Sequence, residues 1–241
     1  MKKIQMLQNY LPYTEIPHTM IEAEFLTANE FRVCAVLHSL NYLTHLFPSL
    51  EELTEKTNLK RDAVINAISH LEEEGIIVKC DQRTTKAGRF STNEYKFVCG
   101  CWNSWYQKRF GESDDEDIIT GRKILESDIP KNDNTLIEVV ENKLPYVRIF
   151  NNFLYSNKIN SNEVRVFLFL KKFANCRDIY PSYATLCKKT GLSKPTIIKT
   201  ITELSDKELV VKVEVMHDDG GKGANRYLIK NDDELIDWLN S

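Results

Sequence analysis

Apolar positions along this chain recur with two different periods. Ile197, Ile201 and Leu204 are spaced four and three residues apart, which predicts a helix with one face toward a core. The β-branched runs "IIVKC" and "LVVKVEV" are each followed by a second strand-like run, "NEYKFV" or "NRYLI", and each pair predicts a β-hairpin. Helical segments followed by a hairpin therefore occur twice along the chain.

Polar residues mark where the first long helix of each series begins. Thr27 and Glu30 have the spacing of a capping box, and Asn160 and Glu163 form a variant with asparagine at the cap. A long apolar helix is expected after each of these pairs, reaching about residue 46 in the first series and about residue 174 in the second.

A short helix, a tight turn and a third helix are predicted next in each series. Ser49 and Ser182 follow prolines and are candidate caps for the short helix. The turns are expected at Asn58 and Gly191, because asparagine and glycine suit a residue with positive φ. The third helix is expected to end near residue 75 in the first series and near residue 208 in the second.

The two series are copies of one sequence. An offset of 133 residues aligns positions 11–79 with positions 144–212 without a gap, and 20 of these 69 positions are identical. One residue is lost beyond that point, where Asn93-Glu94-Tyr95 corresponds to Asn225-Arg226-Tyr227. An alignment that holds its register over this length predicts two copies of one domain.

Three helices and a hairpin, with a tight turn between the second and third helices, form the winged helix-turn-helix arrangement. The pattern "YPS…L…KTGLSKPTIIKTITEL…LVVK…NRYLI" resembles the helix-turn-helix modules of plasmid and phage replication proteins and regulators of low-GC bacteria. The resemblance implies a mainly helical α+β fold with two tandem winged-helix domains. It also implies DNA binding, with the third helix in the major groove and the hairpin wing against the flanking backbone.

Charge is distributed unevenly along the chain. The formal net charge of −3 combines a net charge of 0 over 1–110, −6 over 111–143, +7 over 144–230 and four further acids over 231–241. We therefore expect a first domain over 1–110, an acidic flexible connector over 111–135, and a second domain over 136–241. The final "DDELIDWL" predicts a short acidic helix with Trp238 facing inward against the second copy.

Helical phase selects the candidate DNA contacts. If Ile197, Ile201 and Leu204 face the core, then positions 195, 196, 199 and 202 lie opposite, and 193 and 194 form the exposed start of the helix. Lysines and small hydroxyls there suit phosphates and base edges. The candidates in the second copy are Lys188, Lys189, Ser193, Lys194, Thr196, Lys199, Lys222 and Arg226. Those in the first copy are Lys60, Arg61, Asn66, Arg83, Lys86 and Arg89.

The two copies are expected to contribute differently. Asp62, at the start of the first copy's third helix, is unfavourable beside phosphate, whereas the predicted wing of that copy is rich in lysine and arginine. The second copy has the opposite distribution. Because the two helices differ, we expect one chain to bind an asymmetric site with two unlike halves. Surface lysines are also common as merely solvated groups, and winged helices also serve as protein-docking modules.

Catalytic and metal-binding motifs do not stand out in the sequence. Cys99 and Cys101 form a lone C-x-C, and the five histidines do not cluster with a nucleophile, so we expect no enzyme, no cofactor and no metal. No signal peptide or membrane-length apolar run is recognised, and the six cysteines suit a reducing compartment, so a cytoplasmic protein is expected.

The expected function is sequence-specific binding of double-stranded DNA in replication initiation or control of a plasmid or phage. A transcriptional regulator is an alternative, because both roles require only site recognition. A protein-docking scaffold of a replication or conjugation complex is a second alternative, which would imply a protein partner. The oligomeric state is left open.

Overall fold

The computed structural model describes residues 12–43, 48–80, 94–97, 146–173, 181–213 and 225–241. The first copy contains the elements β1 (Tyr13–Pro17), α1 (His18–Ile21), α2 (Ala28–Leu43), α3 (Leu50–Thr57), α4 (Arg61–Glu73), β2 (Ile77–Cys80) and β3 (Glu94–Phe97). The second copy contains β4 (Tyr146–Phe150), α5 (Asn151–Tyr155), α6 (Ser161–Phe173), α7 (Tyr183–Thr190), α8 (Lys194–Asp206), β5 (Val210–Val213), β6 (Arg226–Ile229) and α9 (Asp232–Asn240). The predicted fold class, mainly helical with two tandem winged-helix units, is confirmed.

The predicted helix starts are also confirmed. The Glu30 carboxylate accepts a hydrogen bond from the Thr27 amide at 2.7 Å, and the Glu163 carboxylate accepts one from the Asn160 amide at 2.6 Å. Ser49 accepts a bond at 3.0 Å from the amide of the third residue of α3. These bonds satisfy amides that an α-helix leaves free at its first turn, and so they fix where each helix begins.

The third helix of each copy buries the predicted stripe. Ile197, Ile201 and Leu204 of α8 are buried, and so are their equivalents Val64, Ile68 and Leu71 of α4. Strands β2 and β3 pair antiparallel, as do β5 and β6, so each copy carries the predicted hairpin. The tight turns have φ of 55° at Asn58 and 68° at Gly191, which confirms the predicted left-handed residues.

The C-terminal helix α9 packs on the second copy, as predicted. Leu235 and Ile236 are buried, and the Trp238 ring lies 6.0 Å from the ring of Phe153 in α5. Asn231 and Glu234 form a reciprocal capping box at the start of α9.

The two copies pack directly against each other. Strands β1 and β4 form an antiparallel pair in which Tyr13 lies opposite Phe150 and Pro17 lies opposite Tyr146. At the centre of this pair, Glu15 lies opposite Arg148, which is the residue 133 positions later, and the two form an ion pair at 3.0 Å. A residue that faces its own equivalent lies on a local two-fold axis, so the pairing has the pattern of an isologous contact.

Two equivalent buried arginines, one in each copy, also bond across the interface to the other copy. Arg32 of α2 donates hydrogen bonds to the carbonyl oxygens of Ile159, Leu154 and Ser156 in the second copy, at 2.7, 3.2 and 2.8 Å respectively. The equivalent Arg165 of α6 donates to the carbonyl oxygens of Ala23 and Leu26 in the first copy.

Two of the three acceptors of Arg32, Ser156 and Ile159, therefore have counterparts in Ala23 and Leu26, the acceptors of Arg165, and the bond to Leu154 is additional. Helices α2 and α6 pack on each other, α1 packs on α6, and α5 packs on α2. One cluster of buried apolar residues runs through both copies. Their relative position is thus fixed by packing between the copies. The predicted connector lies outside the described residues, so the domain boundaries stay predictions.

Candidate nucleic-acid interface

The start of α8 is an exposed, positively charged helix end. Ser193 is its N-cap and accepts a hydrogen bond from the amide of Thr196 at 3.3 Å, and the two hydroxyl oxygens lie 2.8 Å apart. Lys194 and Pro195 are exposed in the first turn, where proline is favoured because its missing N–H would have no partner in the helix. The first turn carries no acid, so the helix dipole and Lys194 both favour an anion there.

The start of α4 differs in its electrostatics. Lys60 occupies the N-cap position, and within the described structure its side chain makes no capping hydrogen bond. Arg61 and Asp62 are exposed in the first turn, so a cation and an anion lie side by side. Asn66, one turn further on, is also exposed. The three predicted contacts Lys60, Arg61 and Asn66 thus lie on the accessible side of α4.

Lysines in the second copy are not equally accessible. The Lys199 side chain pairs with the Glu203 carboxylate at 3.7 Å, but it is 77% exposed and is therefore accessible to phosphate. Lys188 is exposed near the end of α7. Lys189 is half-buried and forms an ion pair with Glu22 of the first copy at 2.8 Å. Its observed partner is therefore the other copy, and its contact with DNA stays a prediction.

The wings are described only in part. Arg226 is exposed at the start of β6, opposite Val213 of β5. Four of the predicted contacts lie outside the described residues: Arg83, Lys86, Arg89 and Lys222.

Two residues on the exposed helix faces were not among the predicted contacts. Ile65 of α4 is 38% exposed and Ile198 of α8 is 42% exposed, and they occupy equivalent positions in the two copies. A signal for them exists in the sequence, because position 198 lies outside the 197–201–204 stripe yet holds the same apolar residue in both copies. Identity between the copies is compatible with a buried or an exposed residue, so this signal alone does not place the side chain.

The two buried arginines between the copies have strongly shifted pKa values and lie away from the exposed helix faces. Burial lowers the pKa of Arg32 to about 10, and the nearby Glu163 carboxylate partly offsets that effect. Burial likewise lowers the pKa of Arg165 to about 10, with Glu30 as the offsetting charge. Both guanidinium groups therefore remain charged at neutral pH and act as interface donors.

A polar groove lies beside this interface. It has a volume of about 390 Å³ and is lined by residues that include Arg32, Asn58, Asn160 and Lys207. Lys207 pairs with the Glu163 carboxylate, whereas Arg32 and Lys158 also line the groove, so its lining is net positive. Within the described part of the chain, no group of three or more His, Cys, Asp or Glu residues is arranged to hold a metal ion.

Comparison with known proteins agrees with this geometry. Residues 23–77 and residues 157–210 each match the family of helix-turn-helix domains, so the chain carries two such domains in tandem. Each matched segment runs from just before the first long helix to the first strand of the hairpin. No curated protein and no solved structure was found to match the chain. None of the helices in the described ranges is long and apolar enough to cross a membrane.

Proposed function

Because both copies are helix-turn-helix domains, we propose that this protein binds double-stranded DNA sequence-specifically, with α4 and α8 each lying in a major groove. The observation that carries this proposal is the exposed N-terminal end of α8, where Lys194, the capped first turn and the nearby Lys199 offer positive charge to a phosphate backbone.

The packing of the two copies suggests how the site is organised. A two-fold relation between the copies would place their third helices in opposite directions along the duplex, so the half-sites are expected to be inverted. The exposed residues differ between α4 and α8, so the two halves are expected to differ in sequence. One chain is then expected to cover a bipartite, asymmetric site with a fixed spacing.

The proposed biological setting rests on the resemblance of the pattern "YPS…LVVK…NRYLI" to modules of plasmid and phage replication proteins and regulators. We propose replication initiation or control, in which the site would lie among repeats at an origin. A site within a promoter would instead favour transcriptional regulation. Mapping the selected sequence onto the DNA that carries the gene separates the two roles.

Selection of bound duplexes from a random pool by the intact chain tests the proposal. Enrichment of one bipartite sequence, followed by footprinting, is the expected result. A pool without enrichment, together with binding that is equally weak for all duplexes, would contradict sequence-specific binding and favour a docking role.

A lysine pair provides the matched variants. Replacing Lys194 and Lys199 with alanine should weaken binding strongly and reduce the slope of log K against log salt by about one to two units, because each phosphate contact contributes about 0.9. Lys158→Ala removes one charge from the exposed loop before α6 and should change neither quantity measurably. An unchanged slope in the double variant would show that α8 does not lie against the backbone.

A further inference from the structure

An isoleucine is exposed at the same position of α4 and α8, the two helices proposed to lie in the major groove. Ile65 and Ile198 are separated by the 133-residue offset that relates the copies, and they are exposed to almost the same extent, 38% and 42%. Each lies between the buried stripe of its helix and the fully exposed side. On each helix it borders the positions that face the solvent.

Packing in the folded chain only partly accounts for an isoleucine at this position. About two-fifths of each residue stays exposed, and a β-branched residue is a poorer helix former than alanine or lysine. Single exposed apolar residues are common on protein surfaces and by themselves need no explanation. Tyr13 with Tyr146, and Val78 with Val211, are also exposed at equivalent positions, but Ile65 and Ile198 lie on the third helices, which are the elements expected in the major groove.

The neighbouring exposed positions have diverged between the copies. In α4 they are Asp62, Asn66 and Ser69, and in α8 they are Pro195, Lys199 and Thr202. None of the three pairs is identical, and two pairs, Asp62 with Pro195 and Asn66 with Lys199, differ in charge. The isoleucine is thus shared by two helix faces whose neighbouring residues differ. This pattern indicates that both helices contact an apolar group at this position.

The major groove presents one apolar group that an isoleucine can contact. Each base pair presents donors and acceptors at its edge, and thymine alone adds a C5-methyl group. An isoleucine that projects from a helix in the groove has no polar atom with which to read the other edges. We propose that Ile65 and Ile198 each contact the methyl group of a thymine, so that each half-site contains a thymine at an equivalent position.

This inference rests on the proposed DNA binding and adds to it. The polar residues around each isoleucine would distinguish the two half-sites, whereas the isoleucines would read the feature that the half-sites share. Removing a methyl contact should lower affinity about fourfold, the effect of burying one fewer methyl-sized group.

The test uses the intact chain and the duplex obtained by selection. Each thymine is replaced in turn by deoxyuridine, which lacks only the methyl group. We expect a loss of about fourfold at one position in each half-site and little change elsewhere. This measurement needs no protein variant, so it does not depend on the stability of one.

A protein variant then shows which thymine each isoleucine contacts. Ile198→Ala should bind the unmodified duplex about fourfold or more weakly, and should no longer respond to deoxyuridine in its own half-site. It should still respond fully in the other half-site. Tyr146→Ala, which truncates another exposed large side chain in the same copy but lies outside the helix-turn-helix and the hairpin, serves as the control and should keep both responses.

The outcomes separate the inference from the function on which it rests. Sequence-selective binding that is insensitive to deoxyuridine at every position would overturn the inference and leave the proposed function intact. A full deoxyuridine response in Ile198→Ala would do the same for Ile198. The lack of any sequence-selective binding by the wild-type chain would overturn both.

Discussion

The two copies adopt positive φ at the same two positions but place different residues there. At the turn of the helix-turn-helix, Asn58 in the first copy corresponds to Gly191 in the second. After the third helix, Gly75 in the first copy corresponds to Glu208 in the second, with φ of 70° and 59° respectively. The two copies therefore share the left-handed backbone conformation at both positions, but a different residue adopts it in each copy.

Surroundings decide which of these glycines is required. A Cβ on Gly191 would lie too close to the carbonyl oxygen of Glu24 in the other copy, while a Cβ on Gly75 would have no atom within 4 Å. Asn58 instead donates a hydrogen bond to the Tyr155 carbonyl oxygen at 3.0 Å. Gly191 is thus needed for close approach of the copies, and Gly75 only for its conformation.

The largest expected effect tests whether the two sides of the interface are equivalent. Arg32→Met and Arg165→Met should each lower the free energy of unfolding by about 3 kcal/mol, because each leaves buried carbonyl oxygens without a donor. Urea denaturation measures this, and Arg148→Met, at a half-exposed ion pair, should cost less than about 1 kcal/mol. A large loss in only one of the two buried variants would contradict reciprocal packing.

The next effect separates the two glycines. Gly191→Ala should cost about 2 kcal/mol or more, since it combines the strain of a left-handed residue with a clash against the Glu24 carbonyl group. Gly75→Ala should cost about 1 kcal/mol, from the strain alone. Thermal denaturation of the two variants measures the difference. Equal losses would mean that the close approach at Gly191 adds no cost.

A histidine makes the first copy sensitive to acid. Burial lowers the pKa of His38 to about 4, and its Nε2 lies 3.1 Å from the Glu15 carbonyl oxygen. The equivalent residue in the second copy is Lys171, which pairs with Asp232. As pH falls from 6.5 to about 4, the unfolded chain binds a proton that the folded chain does not, so stability falls in this window.

We expect about 2 kcal/mol of this loss to come from His38. His38→Gln should flatten the dependence of unfolding free energy on pH between 6.5 and 4. Burial and then Lys172 also lower the pKa of His18 to about 4, so some dependence should remain. An unaltered pH profile in His38→Gln would show that His38 is not the group responsible.

The smallest expected effect is a gain. Glu208→Gly should stabilise the protein by about 0.5–1 kcal/mol, because relief of left-handed strain exceeds the added entropy of the unfolded chain. Glu203→Gly, at an interior position of α8, is the matched control and should destabilise by about 1 kcal/mol. A loss of stability in Glu208→Gly would mean that the Glu208 side chain contributes more than its strain costs.

Local features of the fold were predictable because nearby residues determine them. Thr27 with Glu30, Ser49 at the N-cap of α3, and the 197–201–204 stripe each act within a few positions of one another. The arrangement of the copies was not predictable in the same way, since Arg32 and Arg165 bond to carbonyl groups more than 120 residues away. A sign was present nonetheless, because both arginines interrupt apolar runs, "FRVCAV" and "VRVFLF".

The candidate site was predictable only in outline. Helical phase identifies Lys194 and Lys199 as exposed, but it does not show that Lys189 lies beside Glu22 of the other copy. That ion pair depends on the tertiary packing. Ile198 was not predictable as a surface contact for a different reason, because an apolar residue shared by two copies can be retained for the core or for the surface.

The pairing of β1 with β4 also has a consequence for synthesis of the chain. Glu15 is made 133 residues before its partner Arg148, and translation at about 5–20 residues per second separates them by on the order of ten seconds. During that delay the first copy must exist without the strand and the arginine that complete its surface. The order in which the two copies emerge from the ribosome is therefore part of how the protein reaches its fold.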